Sequence, residues 1–313
     1  MKISLGPILY YWDRSDIMRF YDAIALSRVD TVYLGEVVCS RRLGMRQSDW
    51  LGLAQDLASH GKEVVLSTLA LAETEADLRR MRKIADTDEF LLEANDMSAL
   101  ALVAHKRPFV IGPHLNCYSA QMLDWLVGLG ARRWIPSIEC TGETVRTIHQ
   151  QRTQPCEIEM FAFGNAPLSL SSRCFTARHH NVQKDNCEQR CINDPSGISV
   201  TTQDGKPFIL LNGIQTQTAQ VVNLCRQLDQ LKEAGVSVLR ISPQSLHTPR
   251  IADLFANLAQ GDISAEEAFG SLSELHAGDA TDGFWFGRPG VQGMQEGASA
   301  DGKTAIETTG GSR

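Results

Sequence analysis

Three of the eight cysteines of this 313-residue chain lie in one short polar stretch, SSRCFTARHHNVQKDNCEQRC, at 171–191. They are Cys174, Cys187 and Cys191, and several arginines and histidines stand beside them. Clustered cysteine thiolates bind either structural zinc or an iron–sulfur cluster, and most closed sites of both kinds need four protein ligands. The stretch therefore predicts a metal or redox site with a fourth ligand elsewhere in the chain.

The spacing of these cysteines favours an iron–sulfur cluster over zinc. Twelve residues separate Cys174 from Cys187, and three separate Cys187 from Cys191. Zinc sites usually use two short cysteine pairs, and this stretch offers one. His179 and His180 leave a mixed cysteine–histidine zinc site open, and chance clustering is the third alternative.

Composition limits the class of protein. The chain has 43% hydrophobic residues, enough for a sizeable core, and a net charge of -7, which argues against duplex DNA as its main partner. We find neither the pattern of a secretory signal nor a transmembrane stretch, and we expect a cytoplasmic protein. Because the cytoplasm is reducing, clustered cysteines there indicate metal or redox chemistry rather than structural disulfides.

Short β-branched runs alternate with helical patterns along the chain, which is typical of a mainly parallel sheet. About eight such strands predict an α/β fold of the TIM type, a (β/α)-barrel with either regular or distorted and incomplete closure. A doubly wound open sheet is the rival, but no glycine-rich phosphate loop follows the first strand. The predicted strands are 3–9, 31–38, 63–71, 89–94, 108–116, 132–139, 157–164 and 236–243.

Domain organisation follows from this alternation. We predict a single barrel-like domain over 1–292, with a cysteine-bearing insertion at about 171–207 after strand seven. A helix is predicted over 218–235. The tail 293–313 is small and polar and is predicted to be disordered.

The barrel hypothesis sorts the remaining cysteines. Functional residues of such barrels lie at the C-terminal ends of the strands, the mouth of the barrel. Cys39, Cys117 and Cys140 each follow a predicted strand, so all three are candidates for the fourth ligand. Cys156 precedes strand seven and belongs at the opposite end, and Cys225 falls on the apolar face of the predicted helix.

Polar residues at other strand ends could line the mouth. His114, Asn116 and Glu139 are candidates for orienting a substrate, and the alternative is a polar network that fixes the loops. Glu36 and Glu93 are similarly placed and could act as general bases.

Two further features have both a functional and a structural interpretation. Arg173, Arg178 and Arg190 could adjust the charge of a cluster or bind an anion, or could form a solvated rim. The aromatic stretch GFWFGRPG at 283–290 could cap a pocket or meet a partner, or could pack against the barrel.

The stretch EMFAFGNAPLSLSSRC resembles the signature of the collagenase-like peptidase family, in which a Glu-x-Phe-x-x-Gly pattern precedes cysteines. The matching residues are Glu159, Phe161 and Gly164. The family pattern has cysteines three and ten residues after this glycine. Here Pro167 stands at the first of these positions and Cys174 at the second.

The chain lacks the first cysteine of the family pattern and has Cys174, Cys187 and Cys191 together with Cys39. In this it resembles a branch of the family that serves ubiquinone biosynthesis. The resemblance extends to about residue 292. Its other segments are LGPILYYW (5–12), YLGEVVCSRR (33–42), HLNCYS (114–119) and GFWFGRPG (283–290).

This resemblance implies a 4Fe-4S cluster held by Cys39, Cys174, Cys187 and Cys191. It also implies a heterodimer with a homologous, cluster-bearing UbiU-like subunit and cooperation with a lipid-binding UbiT-like protein. The implied activity is oxygen-independent hydroxylation of a prenylated aromatic precursor of ubiquinone. Related members hydroxylate RNA bases. A peptidase activity is not expected, because the chain shows no Ser/His/Asp or H-E-x-x-H motif.

Overall fold

The computed structural model describes residues 1–276 and 278–291, and the tail predicted to be disordered, 293–313, lies outside them. The strands of the described part are β1 (Lys2–Leu5), β2 (Thr31–Leu34), β3 (Glu63–Ser67), β4 (Leu91–Ala94), β5 (Phe109–Ile111), β6 (Ala131–Trp134), β7 (Glu157–Gly164), β8 (Pro167–Leu170), β9 (Ile198–Thr201), β10 (Pro207–Asn212), β11 (Gln215–Thr218), β12 (Val221–Asn223), β13 (Val238–Ile241) and β14 (Ala280–Thr281).

The helices of the same part are α1 (Arg14–Ala25), α2 (Gln47–Ser59), α3 (Glu75–Ala85), α4 (Met97–Val103), α5 (Ala120–Gly128), α6 (Gly142–Gln151), α7 (Phe175–His179), α8 (Leu228–Glu233), α9 (Thr248–Gln260) and α10 (Ala265–Ser273). Short 3-10 turns lie at Pro113–Leu115, Lys184–Asn186, Arg190–Asn193 and Cys225–Gln227. Among the described helices, none has both the length and the apolar character needed to cross a membrane.

Eight parallel strands close into a barrel. Strands β1 to β7 lie side by side in chain order, β13 pairs with β1, and the ring closes where β13 pairs with β7. The closing register sets Glu159 opposite Val238 and Phe161 opposite Arg240. The chain is a TIM-type (β/α)8 barrel, as the alternation predicted, and the closed ring excludes the rival open sheet.

The two faces of the strands have different surroundings. On β2, Val32 and Leu34 pack into the main core between the sheet and the helices, whereas Tyr33 belongs to a separate small cluster. Tyr33 donates a hydrogen bond to Glu159 of β7, which is not a neighbour of β2. This contact crosses the inside of the barrel, so alternate residues of each strand face the interior.

Several strands end earlier than predicted. The first was predicted to run over 3–9, but β1 stops at Leu5. Gly6 and Pro7 follow, and a proline has no N–H to donate to a strand ladder. The residues beyond the shortened strand become a loop at the mouth.

The helix predicted over 218–235 is wrong in its first half. Residues Val221–Asn223 instead form β12, which pairs antiparallel with the end of β7 and parallel with β14. Two adjacent β-branched valines suit this strand, and helical structure begins only at Cys225. The apolar spacing that suggested one long helix combines a buried strand with the short helix α8.

The insertion after β7 is longer than the predicted 171–207. It contains a four-stranded antiparallel sheet in the order β8-β11-β10-β9, so it spans 167–218. Gly213, in the left-handed region at φ 64°, makes the turn between β10 and β11. The helix α7 and the two cysteine-bearing turns lie between β8 and β9.

Candidate functional site

The insertion is fastened over the loops that follow β1 and β2. The hydroxyl of Tyr11 donates to Oε1 of Gln189 at 2.6 Å, and Nε2 of Gln189 donates to the carbonyl of Arg41 at 3.0 Å. The indole of Trp12 donates to the carbonyl of Pro195 at 2.9 Å. These bonds bring the segment that contains Cys187 and Cys191 against the loop that contains Cys39.

Each cysteine of the predicted ligand set occupies a different local element. Cys39 lies in the loop after β2, and Cys174 is the N-cap of α7, where its sulfur accepts from the N–H of Ala177 at 3.4 Å. Cys187 ends one 3-10 turn and Cys191 lies in the next. All four are free thiols and half-buried.

Electrostatic interactions link the four thiols. Burial raises the pKa of Cys39 to about 11, Arg42 lowers it, and the charge of Cys174 raises it. Burial also raises the pKa of Cys191, and Arg42 lowers it. Charge on Cys174 and Cys187 raises the pKa of Cys191 further. Each cysteine of the insertion therefore lies close enough to another to interact electrostatically with it, and Cys39 interacts with Cys174. We call Cys39, Cys174, Cys187 and Cys191 the thiol group.

Arg42 is the buried cation of this group, with 5% of its surface exposed. Its Nη1 donates to the carbonyl of Leu9 at 2.7 Å, and its Nη2 donates to Oδ1 of Asn212 at 2.7 Å. Glu36 lies 3.6 Å away and accepts from the N–H groups of Val38 and Cys39. Glu36 therefore orders the Cys39 loop, and it does not line the pocket at the barrel mouth where we expected a general base.

Cys117 and Cys140 were predicted to lie at the mouth of the barrel, but the structure places them elsewhere. Both are buried at 2% exposure in the main core between the sheet and the helices, together with Cys156. Burial raises the pKa of Cys117 to about 12, and charge on Cys140 and Cys156 adds to the effect. Their position after a strand was read correctly, but their side chains turn outward into the core, away from the thiol group.

Cys225 is completely buried in the core, as predicted, although it lies in a 3-10 turn rather than in the middle of a long helix. Its thiol behaves as a small apolar side chain there.

In the part of the chain that the structure describes, no three His, Cys, Asp or Glu side chains are arranged tightly enough to hold a metal ion. His179 and His180 pack edge to face against each other. Assigning ligands to the thiol group is therefore a proposal, which rests on shared position, free thiols and charge.

A pocket of about 110 Å³ opens at the mouth of the barrel beside the thiol group. The predicted candidates His114, Asn116 and Glu139 all line it, and so does Glu93. Leu9 separates the two features, because it lines the pocket and also packs in the small cluster that contacts Cys39 and Cys174.

Charged side chains cross the barrel interior below this pocket. Arg240 lies 2.9 Å from Glu93 and 3.2 Å from Glu159, and Arg133 lies 3.5 Å from Glu159. All four are at least 95% buried. Because each charge faces an opposite one, the barrel can hold ions in its interior. Glu93 is therefore an ion-pair partner, which argues against the predicted role of general base.

His114 stands in the pocket between unlike charges. Burial lowers the pKa of its imidazole, and the nearby Arg240 lowers it too, while Glu93 and Glu139 raise it. The net direction is downward, so the ring is neutral near pH 7 and offers one donor and one acceptor. Glu139 is exposed and accepts from the hydroxyl of Tyr118.

Arg240 and Asn95 also line this pocket, and neither was predicted from the sequence. Nδ2 of Asn95 donates to Glu93 at 3.0 Å and to the carbonyl of Thr68 at 3.2 Å. The available signal was a charged residue inside the otherwise apolar strand VSVLRISP, which is unusual unless the charge is paired.

The other features that were singled out lie at or near the surface or pack against the barrel. Arg173 and Arg178 are exposed, and Arg190 pairs with Glu188 at 2.9 Å. In the GFWFGRPG segment, Trp285 is 4% exposed, and its indole donates to Gln230 at 3.0 Å. This segment packs against the barrel.

The sequence of the chain matches the family model described as Peptidase family U32 over residues 17–295. The chain belongs to this family. Its fold is similar to the U32 peptidase Mk0906, at 10% identity and a TM-score of 0.44, covering 78% of this chain and 93% of that one.

Two other solved structures are similar to this chain at a comparably low level. For the tryptophan synthase complex from Pyrococcus furiosus the identity is 10% and the TM-score 0.41, with 86% of this chain and 97% of that chain covered. For the spore cortex-lytic enzyme SleL of Bacillus megaterium QM B1551 the identity is 10% and the TM-score 0.38, with 82% and 74% covered.

Proposed function

We propose that this U32-family chain is a UbiV-like iron–sulfur subunit that supports oxygen-independent hydroxylation of ubiquinone precursors in the cytoplasm. One observation carries the proposal. Of the three candidates for the fourth ligand, Cys39 packs with Cys174 against the same small apolar cluster and faces the same cation, Arg42, as Cys191 does, whereas Cys117 and Cys140 lie in the core. This is the ligand set that the resemblance to the ubiquinone-biosynthesis branch implies.

The residues fit a 4Fe-4S cluster in kind. Four thiols come from two parts of the chain, and none is used in a disulfide. Arg42 offsets part of the negative charge that four thiolates would bring, and the surrounding apolar side chains Leu9, Val38 and Ile214 limit access of water. When bound, such a cluster supplies one-electron redox chemistry.

The mouth pocket would receive the aromatic ring of the substrate. Its volume of about 110 Å³ is on the scale of a cavity of about 150 Å³ that takes up benzene. Ile135 and Phe161 offer apolar walls, and neutral His114 can bond a ring hydroxyl. The paired charges of Arg240 and Glu93 fix the floor, and the side chain of Leu9 would stand between the ring and the thiol group.

A prenylated substrate requires partners in this proposal. A long apolar tail is costly to expose to water, so a UbiT-like lipid-binding protein would carry it. A homologous UbiU-like subunit would complete the heterodimer. Light scattering under anaerobic conditions would detect this assembly, and a chain that stays monomeric with an equimolar UbiU-like subunit would contradict it.

Quinone profiling tests the function. A strain that lacks this chain should make ubiquinone in air but lose it without oxygen and accumulate a precursor that lacks ring hydroxyls. Wild-type chain should restore ubiquinone, Cys187→Ala should not, and the core variant Cys225→Ala should. Unchanged anaerobic ubiquinone would eliminate the proposal, and an unmodified RNA base in its place would support the RNA-hydroxylation alternative.

A further inference from the structure

A second and larger cavity lies outside the barrel, between helices α2 and α3 and the outer face of β2 and β3. Its volume is about 440 Å³, within the range of roughly 300–1,000 Å³ typical of sites for small organic molecules. Its lining includes Leu34, Arg46, Trp50, Leu66, Lys83 and Ile84.

The body of this cavity is apolar. Its floor contains Leu34 and Leu66, which are 0% and 5% exposed, and its walls include Trp50, Leu51 and Ile84, which are partly buried against the main core. A cleft of this size with such a lining can take up the apolar body of a small organic molecule.

The rim of the cavity is positively charged, although the whole chain carries -7. Its lining contains four cationic side chains and one carboxylate, Glu36, which Arg42 already faces at 3.6 Å. Arg80 lies 4.0 Å from Asp77. Within the described residues, Lys83 takes part in no salt bridge, and the side chain of Arg46 interacts only at longer range with Asp49, which itself pairs with Arg14 at 3.1 Å. Both side chains are exposed. Two cations thus stand available at the entrance.

We propose that this cavity, the α2–α3 cavity, binds an amphipathic organic anion, with its apolar body against Trp50 and Ile84 and its carboxylate or phosphate head near Arg46 and Lys83. The apolar lining supplies affinity, and the rim selects the sign of the head group. This site is separate from the mouth pocket, and its existence does not depend on an iron–sulfur cluster.

A ligand in the α2–α3 cavity would contact the loop that contains Cys39 and could therefore influence the thiol group. Glu36, Ser40 and Arg42 line the cavity, and all three belong to the loop that contains Cys39. A bound head group would lie beside the residues that order this loop.

Binding of dodecyl probes with different head groups tests the proposal. Dodecanoate, dodecyl phosphate, dodecanol and dodecyltrimethylammonium share one tail and are titrated below their micelle concentrations while tryptophan emission is followed. We expect both anions to bind about tenfold or more tighter than the alcohol, and the cation more weakly still. Stronger binding of one anion would tell a phosphate ester from a carboxylate. The emission change should vanish in Trp50→Phe.

Charge-reversal variants locate the head group. The double variant Arg46→Glu and Lys83→Glu should weaken dodecanoate binding about tenfold and leave dodecanol unchanged. Lys106→Glu, an exposed change in the loop after α4, is the control and should have no effect. Ile84→Trp, which fills the cavity, should weaken all probes. Equal affinity for dodecanoate and dodecanol, or anion binding that resists the double charge reversal, would overturn the proposal.

Discussion

The guanidinium of Arg42 binds the insertion to the barrel, because its Nη2 donates a 2.7 Å hydrogen bond to Oδ1 of Asn212 at the end of β10. Asn212 in turn donates from Nδ2 to the carbonyl of Leu9 at 2.7 Å, and the same carbonyl accepts from Nη1 of Arg42. Loops from β1 and β2 and the small sheet therefore meet at one buried cation beside the thiol group.

Replacing Arg42 by methionine should lower the free energy of unfolding by about 3–5 kcal/mol, because Glu36 loses its counter-charge and Asn212 loses a donor. Urea unfolding monitored by circular dichroism measures the change. Arg79→Met, an exposed change on α3, is the control and should stay within about 0.5 kcal/mol. A stable Arg42→Met protein would show that other contacts hold the insertion in place.

Arg240→Met should also cost about 3–5 kcal/mol, because it leaves Glu93 and Glu159 buried and without their shared cation. The matched change Arg82→Met removes a surface ion pair with Glu75 and should cost no more than about 1 kcal/mol. Equal losses for the two variants would contradict the paired-charge interior described for the barrel.

His114 should make stability depend on pH. Because folding lowers its pKa, the unfolded chain binds a proton on this ring at a higher pH than the folded chain does. The contribution of His114 to the free energy of unfolding is fully present above the pKa of the ring in the unfolded chain, about 6.5. It is lost as the pH falls from there towards the lower pKa of the folded protein. In His114→Asn, the fall of unfolding free energy between about pH 7.5 and 5 should be shallower. Identical slopes in the two proteins would refute the lowered pKa.

Gly142→Ala tests the packing of the aromatic segment. A Cβ at this first position of α6 would lie 2.5 Å from the ring of Trp285, so the variant should lose about 1–3 kcal/mol. Gly52→Ala, inside α2 where the new Cβ meets no atom within 4 Å beyond its chain neighbours and the backbone of its own helix, should gain about 0.5–1 kcal/mol. If Gly142→Ala is as stable as the wild type, Trp285 does not pack there.

Periodicity predicted the barrel because its signal is repeated along the whole chain. Strand seven, predicted at 157–164, coincides with β7. The failures lie where one local pattern serves two structures. The apolar spacing of 218–235 suits a helix, but Val221 and Val222 find partners on β7 and β14, and those partners are distant in sequence.

The sequence predicted which loops carry the candidate site, but it did not predict the directions of the side chains on them. A strand end assigns Cys39 and Cys117 to the same face of a barrel, but the direction of each side chain depends on the tertiary packing of its loop. Cys117 turns into the core, and Cys39 meets the insertion. Buried Arg240 was missed for the same reason, since its counter-charges come from β4 and β7.

Iron and acid-labile sulfide in anaerobically purified protein test the central claim most directly. We predict about four of each per wild-type chain, loss of most of both in Cys39→Ala, and full retention in Cys117→Ala, with circular dichroism showing that both variants are folded. A full cluster in Cys39→Ala together with its loss in Cys117→Ala would contradict the thiol group as the binding site. Stoichiometric zinc in the wild-type protein would contradict the cluster itself.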